Sequence, residues 1–217
     1  MILRSETFLI LIVLTNFALL GSSRLAAYIR TVAVQGVVLG FLTLSIHHHD
    51  LYSRIWIIAL GNMLLKGFLF PWLFFRTIEK VQIKREIEPI VGYTLSIFIG
   101  ALLFALSLWM TQRLPLPSQI FSSLSISVSL FTLMVGFFLI ISRNKAITQA
   151  MGYIVIENGI YIFGMTFMQK APMVVELGFL LDLFVAIFVM QIILHHIRRE
   201  FDSLNVKYLS NLTDWET

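Results

Sequence analysis

The chain has 217 residues, no cysteine and a net charge of +4, with 58% hydrophobic residues against 13% charged ones, and its mean hydropathy is +0.88. That apolar excess is too large for a soluble core, so the expected class is an all-α polytopic membrane protein in a bilayer. The lack of cysteine excludes disulfides, thiolate zinc sites, iron–sulfur ligation and a Cys nucleophile, and apolar runs on consecutive positions exclude the alternating strands of a membrane barrel.

Seven spans are expected, at 7–21, 26–46, 55–75, 91–111, 119–142, 146–168 and 173–194, each near the roughly 20 residues that cross a ~30 Å hydrocarbon core. The first carries Asn16 and the second Gln35. The following loop holds 47-HHH-49 and Asp50. Three adjacent imidazoles do not easily face one ion, so this reads as a solvated interfacial cluster. The third span carries Asn62 and Lys66, and Pro71 predicts a kink. The longest loop, 76-RTIEKVQIKREIEP-89, is charged. The fifth span opens with 122-SSLSISVS-129, whose small hydroxyl residues allow close helix contact in lipid and bond back to their own helix. The sixth places Glu157 at its centre beside Asn158, followed by Gly159 and Gly164, which suit close packing. The seventh carries Glu176 near one end and Asp182 at its centre, and stops at His195 and His196.

Lys and Arg set the orientation. With the N-terminus outside, the outer segments hold Arg4, Arg54, Arg113 and Lys170, while the inner segments hold eleven basic residues. The positive-inside rule therefore puts the N-terminus outside and the C-terminus in the cytoplasm. Cleavage near 21-GSS-23 would strand Arg24 and Arg30 outside, so the first span is read as a retained helix. The sequon 211-NLT-213 then lies on the cytoplasmic side and is expected to stay unmodified. Spans one to three and five to seven run in the same direction and share a Ser-Arg pair at the first inner loop, Ser23-Arg24 and Ser142-Arg143, a faint internal repeat. No phosphate loop, dinucleotide fingerprint or haem-spaced His pair is present, and nothing points to nucleic acid.

Depth is the informative coordinate. Glu157, Asp182, Lys66, Gln35 and Asn16 all fall at or near the centres of their spans, and Glu176 lies nearer the outer face. A lone charge at the bilayer centre costs about 2.5–3.5 kcal/mol on the insertion scale, so these groups are expected to meet one another, water or another subunit. Burial disfavours each charged form and an opposite charge restores it, so a row of Lys, Glu and Asp is sensitive to its neighbours, as a proton relay requires. Asn62, one turn from Lys66, and Asn158, beside Glu157, are supporting polar groups. The competing reading is a static clamp in which Lys66 pairs with one acid to fix helix packing.

The segment 143-RNKAITQAMGYIVIENGIYIFG-164 resembles the second helix of the K subunit of respiratory complex I and its counterpart in multisubunit cation/proton antiporters, and 198-RREFDSLNVKYL-209 resembles the end of that subunit. Glu157 and Asp182 lie about one turn beyond the carboxylates they correspond to there. The stretches 65-LKGFLFPWL-73, 86-EIEP-89, 156-IENGIY-161 and 174-VVELGFLLDLFVAIF-188 resemble the component E family of hydrogenase-4, a membrane subunit of formate hydrogenlyase-type complexes. The resemblance implies an N-terminal four-helix extension (1–118) joined to a three-helix K-subunit-like region with a cytoplasmic tail (119–217). It implies a non-catalytic subunit of a group 4 energy-converting hydrogenase in a bacterial or archaeal cytoplasmic membrane. No cofactor is expected in this chain; nickel–iron and iron–sulfur centres would lie in a peripheral hydrogenase module. Antiporter-like subunits and a complex I-like membrane anchor subunit are the expected neighbours. The relay residues would be Glu157, Asp182, Lys66 and Glu176, supported by Gln35, Asn62, Asn158 and Asn16. The alternatives are a cation/proton antiporter component and a purely structural membrane subunit.

Overall fold

The computed structural model of the chain describes residues 2–46, 53–81, 90–114 and 123–166. Every element in them is helical: α1 (Ile2–Gly21), α2 (Leu25–Ile46), α3 (Ser53–Leu64), a π-helical turn (Leu65–Leu69), α4 (Phe70–Val81), α5 (Tyr93–Arg113), α6 (Ser123–Ser142) and α7 (Ala146–Thr166). Helices satisfy every backbone amide within one segment, which an apolar solvent demands. Leu25–Ser45, Tyr93–Arg113 and Ser123–Ser142 are long and apolar enough to cross a bilayer, and Ser5–Gly21 is a shorter apolar helix. The predicted span 55–75 falls on α3, the π turn and the start of α4, which runs on to Val81. The seventh predicted span, with Glu176 and Asp182, lies outside the described residues, as do the His47–His49 cluster, His195 and His196.

The exposure pattern is inverted relative to a water-soluble protein. Phe98 is 70% exposed, Leu102 69% and Ile141 74%, whereas Lys66 is 0% and Glu157 2% exposed. Apolar side chains outside and charges inside mark a molecule whose surroundings are apolar. Trp72 lies beneath Arg76, with the guanidinium 5.1 Å from the ring, and Trp109 pairs with Arg113 at 5.6 Å. Both are i,i+4 pairs, the amphipathic chemistry that suits a membrane–water boundary.

Three residues join α6 to α7, so the two helices pack as antiparallel neighbours. Their contact is backbone on backbone. A Cβ at Gly136 would stand 2.7 Å from the Ile156 nitrogen and 2.9 Å from the Gly152 carbonyl oxygen, and one at Gly159 would stand 2.8 Å from the Leu133 nitrogen. Lipid supplies no hydrophobic drive between helices, so such close approach supplies van der Waals contact instead. Around this pair, α1 packs on α2, α5 and α6, while α2 contacts α1, α3, α4, the π turn and α7.

Two apolar clusters fill the bundle. One gathers Leu19, Leu20, Ile29, Phe131, Val135, Leu139 and Met151. The other gathers Leu9, Ile12, Val38, Leu39, Leu42, Val128 and Ile162. On α1, α2 and α7 the sequence passes from one cluster to the other across a short buried polar stretch: Asn16, Gln35 and Glu157–Asn158. The fold therefore stacks a polar layer between two oily ones.

Candidate functional site

Lys66 enters the polar layer from the π turn. The Phe70 amide donates to the carbonyl of Leu65, five residues back, and both flanking residues keep right-handed helical dihedrals. The helix is therefore continuous through one widened turn. Pro71 follows at once; it has no amide hydrogen to offer the Gly67 carbonyl, and its ring crowds that carbonyl. The irregularity expected from Pro71 thus takes the form of a π turn carrying Lys66, a feature that recurs at functional sites. On the facing helix a Cβ at Gly36 would stand 2.5 Å from Lys66 Cβ and 3.2 Å from its carbonyl carbon. Only a glycine lets α2 lie this close to the lysine.

The Lys66 ammonium lies 2.8 Å from Glu157 Oε1, and both side chains are buried. It also donates to Asn158 Oδ1 at 3.0 Å and sits 5.5 Å from the centre of the Tyr161 ring. Asn158 Nδ2 donates to Gln35 Oε1 at 3.0 Å. Gln35 Nε2 donates to Asn16 Oδ1 at 2.9 Å and to Thr15 Oγ1 at 3.2 Å. Asn16 Nδ2 donates to Thr132 Oγ1 at 2.9 Å, and Thr132 Oγ1 donates to the Val128 carbonyl at 2.7 Å. A single chain of hydrogen bonds thus runs from the ion pair on the π turn and α7, through α2 and α1, to the backbone of α6. It keeps the charges of Lys66 and Glu157 together and satisfies three amides that lipid would otherwise penalise.

The sequence-predicted residues Lys66, Glu157, Asn158, Gln35 and Asn16 are therefore brought into one connected network. Asn62 is buried on α3, one turn before Lys66, and makes no hydrogen bond among the described residues. Asp182 and Glu176 lie outside the described residues. Thr132 and Gly36 escaped the sequence reading. Thr132 is an ordinary hydroxyl in a hydroxyl-rich helix, but Gly36 carried a readable signal in its four-residue spacing to Gly40, the pattern of closely packed membrane helices. Gly40 indeed faces Met63 and Ala59 of α3.

The burial of a third charge, beyond the Lys66–Glu157 pair, also escaped the sequence reading. Arg143, counted there as an inner-loop cation, is completely buried at the turn between α6 and α7. Its Nη2 donates to the Leu20 carbonyl at 3.1 Å, one of the carbonyls left open at the end of α1. The guanidinium lies 5.4 Å from the centre of the Tyr93 ring. The Ile90 amide donates to the neighbouring Ser142 carbonyl at 2.9 Å, and Gln149 Nε2 donates to the Arg143 carbonyl at 2.9 Å. Arg143 thus ties the ends of α1, α5 and α6 together at a helix terminus whose dipole favours a cation.

The chain is 24% identical over 204 residues to the uncharacterized protein Rv0085 of Mycobacterium tuberculosis, covering 94% of this chain and 93% of that protein. It is 26% identical over 125 residues to Hydrogenase-4 component E of Escherichia coli, with a match of the same extent to the Shigella flexneri protein of that name. These matches span 58% of this chain and 58% of each relative. No protein-family model matches the chain, and no solved structure matches it.

Proposed function

We propose that this chain is a non-catalytic membrane-arm subunit of a hydrogenase-type energy-converting complex, in which the Lys66–Glu157 pair couples charge movement to redox chemistry in partner subunits. The carrying observation is the buried ion pair, 2.8 Å long, inside a polar layer between two apolar clusters. The similarity to Hydrogenase-4 component E supports the choice of complex. In this reading the chain crosses the cytoplasmic membrane seven times, N-terminus outside. Asp182 and Glu176 extend the relay toward antiporter-like neighbours, and nickel–iron and iron–sulfur centres belong to the peripheral module. A charge moved through the membrane field is worth about 2.3 kcal/mol per 100 mV, within reach of a redox step.

Two measurements test this. Mass spectrometry of subunits co-purifying in mild detergent should find hydrogenase-type proteins; antiporter subunits alone would overturn the choice of complex. Glu157→Gln in a fully assembled complex should abolish proton translocation, and wild-type coupling would refute the role of the pair. The static-clamp reading has its own support in the row of satisfied hydrogen bonds behind Lys66. It requires that Lys66→Met combined with Glu157→Gln assemble and remain coupled.

A further inference from the structure

The row behind Lys66 has a direction. An ammonium only donates, so Asn158 must turn its oxygen toward Lys66. Its nitrogen then faces Gln35, which must accept with Oε1 and donate with Nε2 to Asn16 Oδ1. Asn16 is left to donate to Thr132, whose hydroxyl hydrogen goes to the Val128 carbonyl. Each bond points away from Lys66, and the series ends on a backbone carbonyl that has no proton to pass on. A proton could cross these amides only through an imidic acid or a protonated amide, neither of which is populated near neutral pH. The row is therefore an anchor for the ammonium and not a wire.

Two buried groups beside this row stay outside it: Glu157 on α7, and Asn62 one turn before Lys66. Glu157 Oε2 and both side-chain atoms of Asn62 are buried and have no hydrogen-bond partner among the described residues. A buried primary amide left unpaired is destabilising, which an apolar residue of similar size would not be. Asn62 lies on the strip of α3 that meets α2, where Ala59 and Met63 face Gly40 and Lys66 faces Gly36. Further along α2 and α7 on that side, Thr43 and Tyr161 share a 2.9 Å hydrogen bond between hydroxyls, groups able to pass a proton.

We infer that protons exchange with Glu157 at Oε2 from the Asn62 side, with Asn62 as a positioning residue that holds water against the carboxylate. This rests on the function proposed above. In the step, an O–H bond forms on Oε2 as a hydronium O–H bond breaks, leaving neutral water, a carboxylic acid and the Lys66 ammonium. The reverse step restores the ion pair.

The test uses inverted vesicles carrying the whole complex, energised with whichever of hydrogen or formate wild-type vesicles oxidise. Protons moved per turnover are read with a pH-gradient dye, and the thermal midpoint of the complex is read alongside. Asn62→Leu should lower translocation about tenfold or more with an unchanged or raised midpoint. Asn62→Ser, which keeps a hydroxyl and leaves room for water, should retain more than about half. Asn16→Leu should lower the midpoint yet still translocate. The inference is overturned if Asn62→Leu translocates normally, if it lowers the midpoint or blocks assembly, or if assembled Asn16→Leu stops translocating. Glu157→Gln in parallel separates the two ideas: retained translocation there defeats the proposed function, whereas its loss with normal Asn62→Leu defeats only this inference.

Discussion

Removing one member of the buried pair should cost much more than half of removing both. In Lys66→Met the Glu157 carboxylate keeps its 2% exposure but loses the ammonium 2.8 Å away. An uncompensated charge costs about 3 kcal/mol on the membrane-insertion scale, and loss of one partner from a buried pair costs about 3–5 kcal/mol in soluble proteins, so two independent scales meet near 3. Glu157→Gln takes the carboxylate away from the ammonium and should cost a similar amount, eased by the contacts that Lys66 keeps, its bond to Asn158 among them. In the double variant neither charge of the pair remains, and the deficit includes the Asn158 oxygen that has lost its donor, about 1–3 kcal/mol. The cycle should therefore show about 2–4 kcal/mol of coupling. Denaturing-detergent titration followed by the fluorescence of the four tryptophans gives the energies. Additivity within about 0.5 kcal/mol would mean that the two charges do not sense each other, and the reasoning would fail.

The glycine contacts and the buried arginine make further predictions. Gly136→Ala should destabilise the bundle by about 1–3 kcal/mol, because the new methyl meets the Ile156 nitrogen at 2.7 Å and backbone cannot step aside. Gly100→Ala should be milder in the same titration, since the nearest atom is the end of the Leu20 side chain and not backbone. For Arg143→Met, loss of the bond to the Leu20 carbonyl and of the Tyr93 contact should lower stability by about 1–3 kcal/mol. Arg143→Lys should recover only part of this, because an ammonium offers neither the fork of donors nor the stacking face of a guanidinium.

Depth was legible in the sequence because it needs only counting along an apolar run. That arithmetic put Asn16, Gln35, Lys66 and Glu157 at one level, where the structure joins them. Rotation about each helix axis was not legible. The four helices have nearly uniform apolar faces, so nothing in the pattern says which way Lys66 turns or that it meets Glu157. The direction of the amide row emerges only once a donor-only group stands at its head. Pro71 gave warning of an irregular helix, but how closely α2 approaches the turn that carries Lys66 depends on Gly36 across the interface. The burial of Arg143 was not legible, because a basic residue at the end of a span ordinarily faces water. Its burial is made by Leu20 and Tyr93, distant in sequence and adjacent only in the fold.

The glycine seam and the π turn divide the pair mechanically. Glu157 is mounted on α7, whose backbone is wedged against α6 at Gly136, Gly152 and Gly159, so sliding or rolling that helix drives atoms into one another. Lys66 is mounted on a turn with one residue more than an α-helix needs, held in an unbroken rod. Passing that spare residue along the rod would turn only the residues it crosses, by about 100°, without breaking the helix. The two charges of the 2.8 Å contact thus stand on differently built supports: the acid on a regular helix meeting α6 backbone to backbone, the amine on a widened turn that meets α2 through Gly36.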